Sequence, residues 1–368
     1  MTGETRSQVE PTTHGDVLPG VPLQEFVSSS QFGRFLAVSF VVIGHLPLVL
    51  EYFSPLKMIS MAKIGVGLFT FYSGFLLQYQ YRQTEQMYFV SAKWLLRRIL
   101  RIFPMYWVAL ILCLIIRNTS GGTQNGAYAL IVNFFGLQLF LGVPSIDAGF
   151  VDAYWYVSFI LGCYVLFLFV KNARQKGLIT IVITTCVACE YAATSRADVQ
   201  FLAALAIPTF LCGMWAADHT SRNSGLRIRM PTLLAATLLF LGVAALARKS
   251  SMAYLPTSLH GVLYLTGFMS VILASLGMVG VVAYAHAYMK RHVGRLHSVG
   301  LSIGSISYEI YLLHLPCLWI LVTLGKHHPI RGFLVYCMVV LGASLVCHFT
   351  LGKITRQFQR VLRQHPSI

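Results

Sequence analysis

"RFLAVSFVVIGH", Arg34 to His45, sets a permanent cation and an imidazole at the two ends of a run that is otherwise apolar or small. As an α-helix, the separation turns the chain by about 1100°, within about 20° of three full turns, and advances it by roughly 16 Å. Both polar groups therefore share one face. Two readings are open. Arg34 is a snorkelling anchor and His45 a buried helix–helix hydrogen bonder, or both line a polar cavity, because ionisable groups facing lipid are costly. The shared face and the spacing resemble the two ends of one elongated ligand.

The surrounding composition decides the class. The chain has 368 residues, 56% hydrophobic and 11% charged, with positive mean hydropathy, which excludes a water-soluble globule and points to one polytopic membrane domain. The net charge of +16 invites a nucleic-acid partner. The basic residues are dispersed between apolar segments and form no continuous basic face, so that reading is excluded. Residues 1–30 are polar and contain Pro11, Gly15, Pro19, Gly20 and Pro22. They read as a flexible tail and not as a cleavable signal peptide.

Apolar runs and charged breaks predict an all-α transmembrane bundle with spans near 32–50, 62–81, 99–117, 152–170, 178–195, 199–217, 231–248, 258–285, 303–324 and 332–351. The stretch 127–143 is read as re-entrant or interfacial, because an eleventh crossing would move "KNARQK" (171–176) across the membrane and break the charge asymmetry. With both termini inside, 20 of the 28 Lys and Arg residues are cytoplasmic, which favours this orientation. The domain boundaries expected are a tail at 1–30, a membrane domain at 31–352 and a basic cytoplasmic tail at 353–368.

Three further stretches carry polar residues inside or beside the spans. "KWLLRRILRIFPMYW" brings Arg97, Arg98 and Arg101 to neighbouring positions on an interfacial helix, and Pro104 predicts a bend into the third span. Arginine forks suit phosphates, while the bland reading is a positive-inside stop. "GVGLFTFYSGFLL" sets Ser73 and Gly74 among bulky residues, where serine can return its hydroxyl to the Phe69 carbonyl and Gly74 permits close helix approach. "SYEIYLLHLP" places Tyr308, Tyr311 and His314 along one helix edge with Glu309 on a different face.

Taken in order, these stretches resemble the acyltransferase 3 family of integral-membrane acyltransferases. Arg34 and His45 match its Arg-x10-His signature, Ser73-Gly74-Phe75 its Ser-Gly-Phe motif, Arg98-x-x-Arg101 with "IFPMYW" its arginine pair, and "SYEIYLLHLP" its closing Tyr/His/Pro pattern. The ordered matches run from residue 31 to about 320. The chain departs from the family at Gln31, where an aspartate is common, and at "WYVSFI" (155–160), which lacks the usual following glutamate. Asp152 or Glu309 is then the carboxylate available near a site.

The resemblance implies an enzyme of the bacterial inner membrane that moves an acyl group, most simply acetyl, from cytoplasmic acyl-CoA to a hydroxyl of a glycan such as an exopolysaccharide or O-antigen. It implies no tightly bound cofactor, with acyl-CoA as co-substrate and bilayer and glycan as partners. Arg34, Arg97, Arg98 and Arg101 would hold the donor's phosphates and His45 would act as general base, directly or through an acyl-enzyme. Ser73, Tyr308, Tyr311, His314 and Glu309 would support them, Tyr308, Tyr311 and Ser73 as oxyanion donors. The rival reading is a transporter or flippase for a glycan or lipid-linked substrate, and a third is a non-catalytic assembly partner.

The eight cysteines lie in apolar runs and read as packing residues, Cys186-x-x-Cys189 included. His327 and His328 lack further ligands, so no metal site is expected.

Overall fold

The computed structural model describes residues 23–46, 61–83, 92–119, 126–144, 146, 154–173, 175–177, 179–180, 182–183, 199–222, 235–240, 257–325 and 329–364. Among them the chain is predominantly helical and has no strand, as expected where hydrocarbon offers the backbone no hydrogen-bond partner. The helices are α1 (Leu23–His45), α2 (Met61–Gln83), α3 (Ala92–Thr119), α4 (Ala127–Phe134) and α5 (Trp155–Val170). They continue with α6 (Val199–Arg222), α7 (Thr257–His292), α8 (Gly294–Ser305), α9 (Ser307–Gly325) and α10 (Pro329–Gln364).

Four described helices are long and apolar enough to cross a membrane, within Phe26–His45, Trp94–Asn118, Met269–His292 and Arg331–Lys353. Large apolar side chains such as Ile111, Ile115, Met338, Val346 and Phe349 are exposed on α3 and α10, as on helices that meet lipid. The expected spans at 178–195 and 231–248 lie largely outside the described residues, as do Asp152, Cys186, Cys189, His327 and His328.

Where small residues occur, helix backbones approach closely. A Cβ on Gly74 would collide with the Phe210 carbonyl, and one on Gly213 with the Phe71 carbonyl, so α2 and α6 meet backbone to backbone. Gly65 meets the Ala37 carbonyl and Gly44 the Ala62 amide, which does the same for α1 and α2. Such contacts replace the missing hydrophobic drive between helices in lipid with close packing.

Four local features differ from the sequence expectations. α3 runs unbroken through Pro104, so the arginine stretch and the apolar span are one helix and not an interfacial helix followed by a span. The expected span 303–324 is divided at Ile306, between α8 and α9. α1 already begins at Leu23, inside the segment read as tail, and α10 runs on to Gln364. Its charged end remains helical because a continuing turn satisfies each backbone group internally.

The stretch 127–143 forms only the eight-residue α4 followed by turns, with Gly136 and Gly142 at positive φ. At 1.5 Å per residue α4 covers about 12 Å, against a hydrocarbon core of about 30 Å. Its irregular backbone is satisfied from within. Buried Asn133 donates to the Ala129 and Pro144 carbonyls and accepts from the Ile146 amide, while Ser158 donates to the Gly136 carbonyl at 2.6 Å. Tyr106 and Trp107 donate to the Asn133 and Phe134 carbonyls, pinning the segment to α3.

Candidate active site

A cavity of about 410 Å³ opens between α1, α2, α3, α5, α10 and the α8–α9 break. On α2 its lining is the stripe Phe69, Ser73, Leu76, Leu77 and Gln80, the three-to-four-residue spacing of one helix face. Phe69 and Gln80 are separated by about 16 Å of helix rise. The cavity is therefore a sleeve along the bundle axis.

One end of the sleeve is cationic. Arg34, Arg98 and Arg101 all line it. Arg98 donates to Gln80 Oε1 at 3.0 Å and lies 5.6 Å from the centroid of the Trp94 ring and 5.9 Å from that of Tyr164. Arg34 comes from α1 and lies within electrostatic reach of Arg101 and Arg98. Among the described residues, none of the three makes an ion pair with a carboxylate. Glu309 also lines the sleeve, but His348 Nδ1 takes its carboxylate at 2.8 Å. Three guanidiniums converging without a counter-charge form a site for a multiply charged anion.

The other end is aromatic. Phe69 of α2, Tyr156 of α5 and Tyr311 of α9 line it and contact one another, with ring centroids 5.5–6.3 Å apart. The Tyr156 hydroxyl lies against Thr70 and Ser73. Tyr308 donates to the Ile102 carbonyl at 3.0 Å, which ties α9 to α3 and commits the proton that would serve an oxyanion.

Behind Tyr311 lies a histidine pair. The Tyr311 ring is 5.7 Å from that of His314, and His314 Nε2 is 3.2 Å from His45 Nδ1. His45 Nδ1 is also 2.8 Å from the Val41 carbonyl, and His314 Nδ1 meets the Tyr311 carbonyl. Carbonyl oxygens only accept, so both Nδ1 atoms carry hydrogen. Neutral His314 then has a bare Nε2, which shares the His45 Nδ1 hydrogen with Val41. The hydrogen-bond network thereby assigns the lone pair of His45 to Nε2.

The structure thus brings together Arg34, Arg98, Arg101, Ser73, Tyr308, Tyr311 and Glu309 around one cavity, and joins His45 to His314 beyond its aromatic end. Arg97, one step of 100° round from Arg98, does not line the cavity. Glu309, expected on a different face from the tyrosines, lines the same cavity because that cavity wraps the first turn of α9, from Ser305 and Ser307 at the α8–α9 break to His348 of α10. It is held by His348 rather than by His45.

Sequence reasoning missed His348, Tyr156, Tyr164 and Gln80. His348 carried a signal, since it is an ionisable residue inside the last expected span. The others carry no sequence signal until their helices are placed.

No curated protein and no solved structure matches the chain. The model of the acyltransferase 3 family, described as an acyltransferase domain, matches residues 28–349, essentially the whole helical assembly in which the arginine-lined sleeve and the histidine pair lie. This integral membrane protein belongs to the acyltransferase 3 family of acyltransferases.

Proposed function

We propose that the protein transfers an acyl group, acetyl in the simplest case, from cytoplasmic acyl-CoA to a hydroxyl of a surface glycan such as an exopolysaccharide or O-antigen, across a bacterial inner membrane with both termini cytoplasmic. The observation that carries this reading is the sleeve: three guanidiniums at one end that pair with no carboxylate among the described residues, a largely apolar run of about 16 Å of helix rise, and the histidine pair beyond the other. An acyl-CoA has the same order of parts, with phosphates, a long neutral arm and a terminal thioester. Arg34, Arg98 and Arg101 hold the phosphates, and the arm lies against Ser73, Leu76, Leu77 and Ile160.

His45 Nε2, bare in the tautomer set by Val41 and His314, takes the proton of the glycan hydroxyl. That oxygen bonds to the thioester carbonyl carbon, the carbon–sulfur bond breaks, and the leaving thiolate receives the proton from the imidazolium as free CoA thiol. His314 positions His45 by accepting from Nδ1 and supports the charge that develops on the ring. No metal or tightly bound cofactor enters this scheme.

The test is transfer by the purified protein in detergent, with native membranes of the producing cell supplying acceptor. Release of free CoA that depends on those membranes, together with acyl label recovered in glycan, is the expected result. Label crossing a sealed vesicle without CoA release would instead identify a transporter.

A further inference from the structure

The aromatic end of the sleeve lies between the donor cavity and the histidine pair. Gly44, beside His45, sits against Ala62, and Ala62 is about 10 Å of helix rise from Phe69. A thioester entering past the arginines therefore meets Phe69, Tyr156 and Tyr311 before it meets His45. The three rings come from three helices, all are buried, and each touches the other two. Tyr311 has the cavity on one side and His314 on the other.

We propose that Phe69, Tyr156 and Tyr311 form the wall that sets the size of the acyl group, admitting two or three carbons and rejecting longer chains. This inference rests on the acyl-CoA reading above.

A purely structural cluster would be roofed by other side chains on every side, whereas Phe69, Tyr156 and Tyr311 all line the cavity. The wall is held in place: the Tyr156 hydroxyl lies against Thr70 and Ser73, and Gly74, next along α2, locks that helix on the Phe210 carbonyl. A pocket discriminates by size when its wall is costly to displace, and each additional methylene to be accommodated is then worth about 10-fold to 200-fold. The acyl end reaches His45 through the gap made when one ring turns, and that gap passes a short chain.

Phe69 tests the wall because it neither binds phosphate nor handles the proton. Purified wild-type protein, Phe69→Ala, Phe69→Leu and Tyr156→Phe are compared with acetyl-, propionyl-, butyryl- and hexanoyl-CoA, reading free CoA released in the presence of native membranes. Wild-type is expected to use butyryl-CoA at under about a tenth of its acetyl rate. Phe69→Ala should raise the butyryl-to-acetyl ratio by about 10-fold or more, with Phe69→Leu intermediate. Tyr156→Phe, which keeps the ring and loses only the hydroxyl's hold on Thr70 and Ser73, should raise the ratio less than Phe69→Ala does.

An unchanged ratio in both Phe69 variants, with acetyl transfer retained, overturns the wall and leaves the acyl-CoA reading standing. Wild-type use of hexanoyl- and acetyl-CoA at equal rates does the same. If wild-type turns over no acyl-CoA at all, the functional reading fails and the wall with it. Should Phe69→Ala not survive purification, the smaller change in Phe69→Leu still moves the ratio or fails to.

Discussion

The last turns of α2 carry two polar clusters on opposite faces, and they are built differently. On one face Gln78 and Arg82 reach Asp218 of α6 at 2.9 and 2.8 Å, and Lys176 of the link after α5 reaches the same carboxylate at 2.6 Å. Lys176 is almost fully buried and donates also to the Lys171 and Ala173 carbonyls. On the other face Gln80 holds Arg98 at the mouth of the sleeve, beside Arg34 and Arg101.

In the Asp218 cluster opposite charges meet each other and their hydrogen bonds are made internally. In the arginine cluster like charges meet an opening. A buried charge that finds its partner within the chain fixes the chain, whereas charges left converging on a cavity spend stability for a ligand. The Asp218 cluster is accordingly a structural anchor of α2, α6 and the 171–176 link, and the arginine mouth is the binding surface of the proposed function.

Removing His45, past the far end of the sleeve, sharpens the contrast most. His45→Ala should lower transfer by about 10²- to 10⁴-fold, the usual worth of a general base, while detergent-solubilised protein keeps its thermal midpoint. Wild-type rates in that variant would end the proposed role. Next comes the anchor. Asp218→Ala leaves Lys176 buried without its carboxylate and should cost about 3 kcal/mol of stability, seen as loss of folded protein on gel filtration in detergent.

Arg101→Ala is expected to do the reverse, with an unchanged or higher thermal midpoint and a KM for acyl-CoA raised about 10-fold, the worth of one charge-assisted hydrogen bond to phosphate. Raised salt should weaken donor binding further in the wild type. If Arg101→Ala unfolds the protein and Asp218→Ala does not, the division between anchor and mouth is wrong.

The smallest expected effect is in pH. Burial alone would raise the Asp218 carboxyl, but hydrogen bonds from Arg82, Lys176 and Gln78 outweigh it and hold it below the ordinary carboxylate value. The anchor's contribution is then complete above that ordinary value, near pH 4, and is lost as pH falls through the lower folded value. Thermal midpoints of wild type and Asp218→Asn should converge at the acid end and separate above it.

Much of the site was legible in the sequence because its parts lie within single helices. Arg34 and His45 are related by the geometry of α1 alone, and Arg98 and Arg101 by that of α3. Polar groups in apolar runs are costly wherever they fall, so His45, Ser73, Tyr311 and His314 stood out before any helix was placed. What was not legible depends on two or more helices at once. Asp218 reads as one acid at a helix end, and only the approach of α2 and the 171–176 link makes it an anchor. Glu309 reads as facing away from Tyr308 and Tyr311, and only a cavity that wraps the start of α9, with α10 alongside, sets it in the sleeve against His348.

The amino-acid order by itself therefore determined the membrane class, the helical lining stripes and the residues whose burial needs a reason, because hydrophobicity and the 100° step act along one segment. The tertiary structure decided the pairings. His314 rather than a carboxylate orients His45, His348 occupies Glu309, and three rings from three helices close the sleeve. Those outcomes follow from how far each helix is rotated and slid against its neighbours. Backbone contacts at small residues such as Gly74 on Phe210 and Gly65 on Ala37 fix that rotation, and no single segment encodes it.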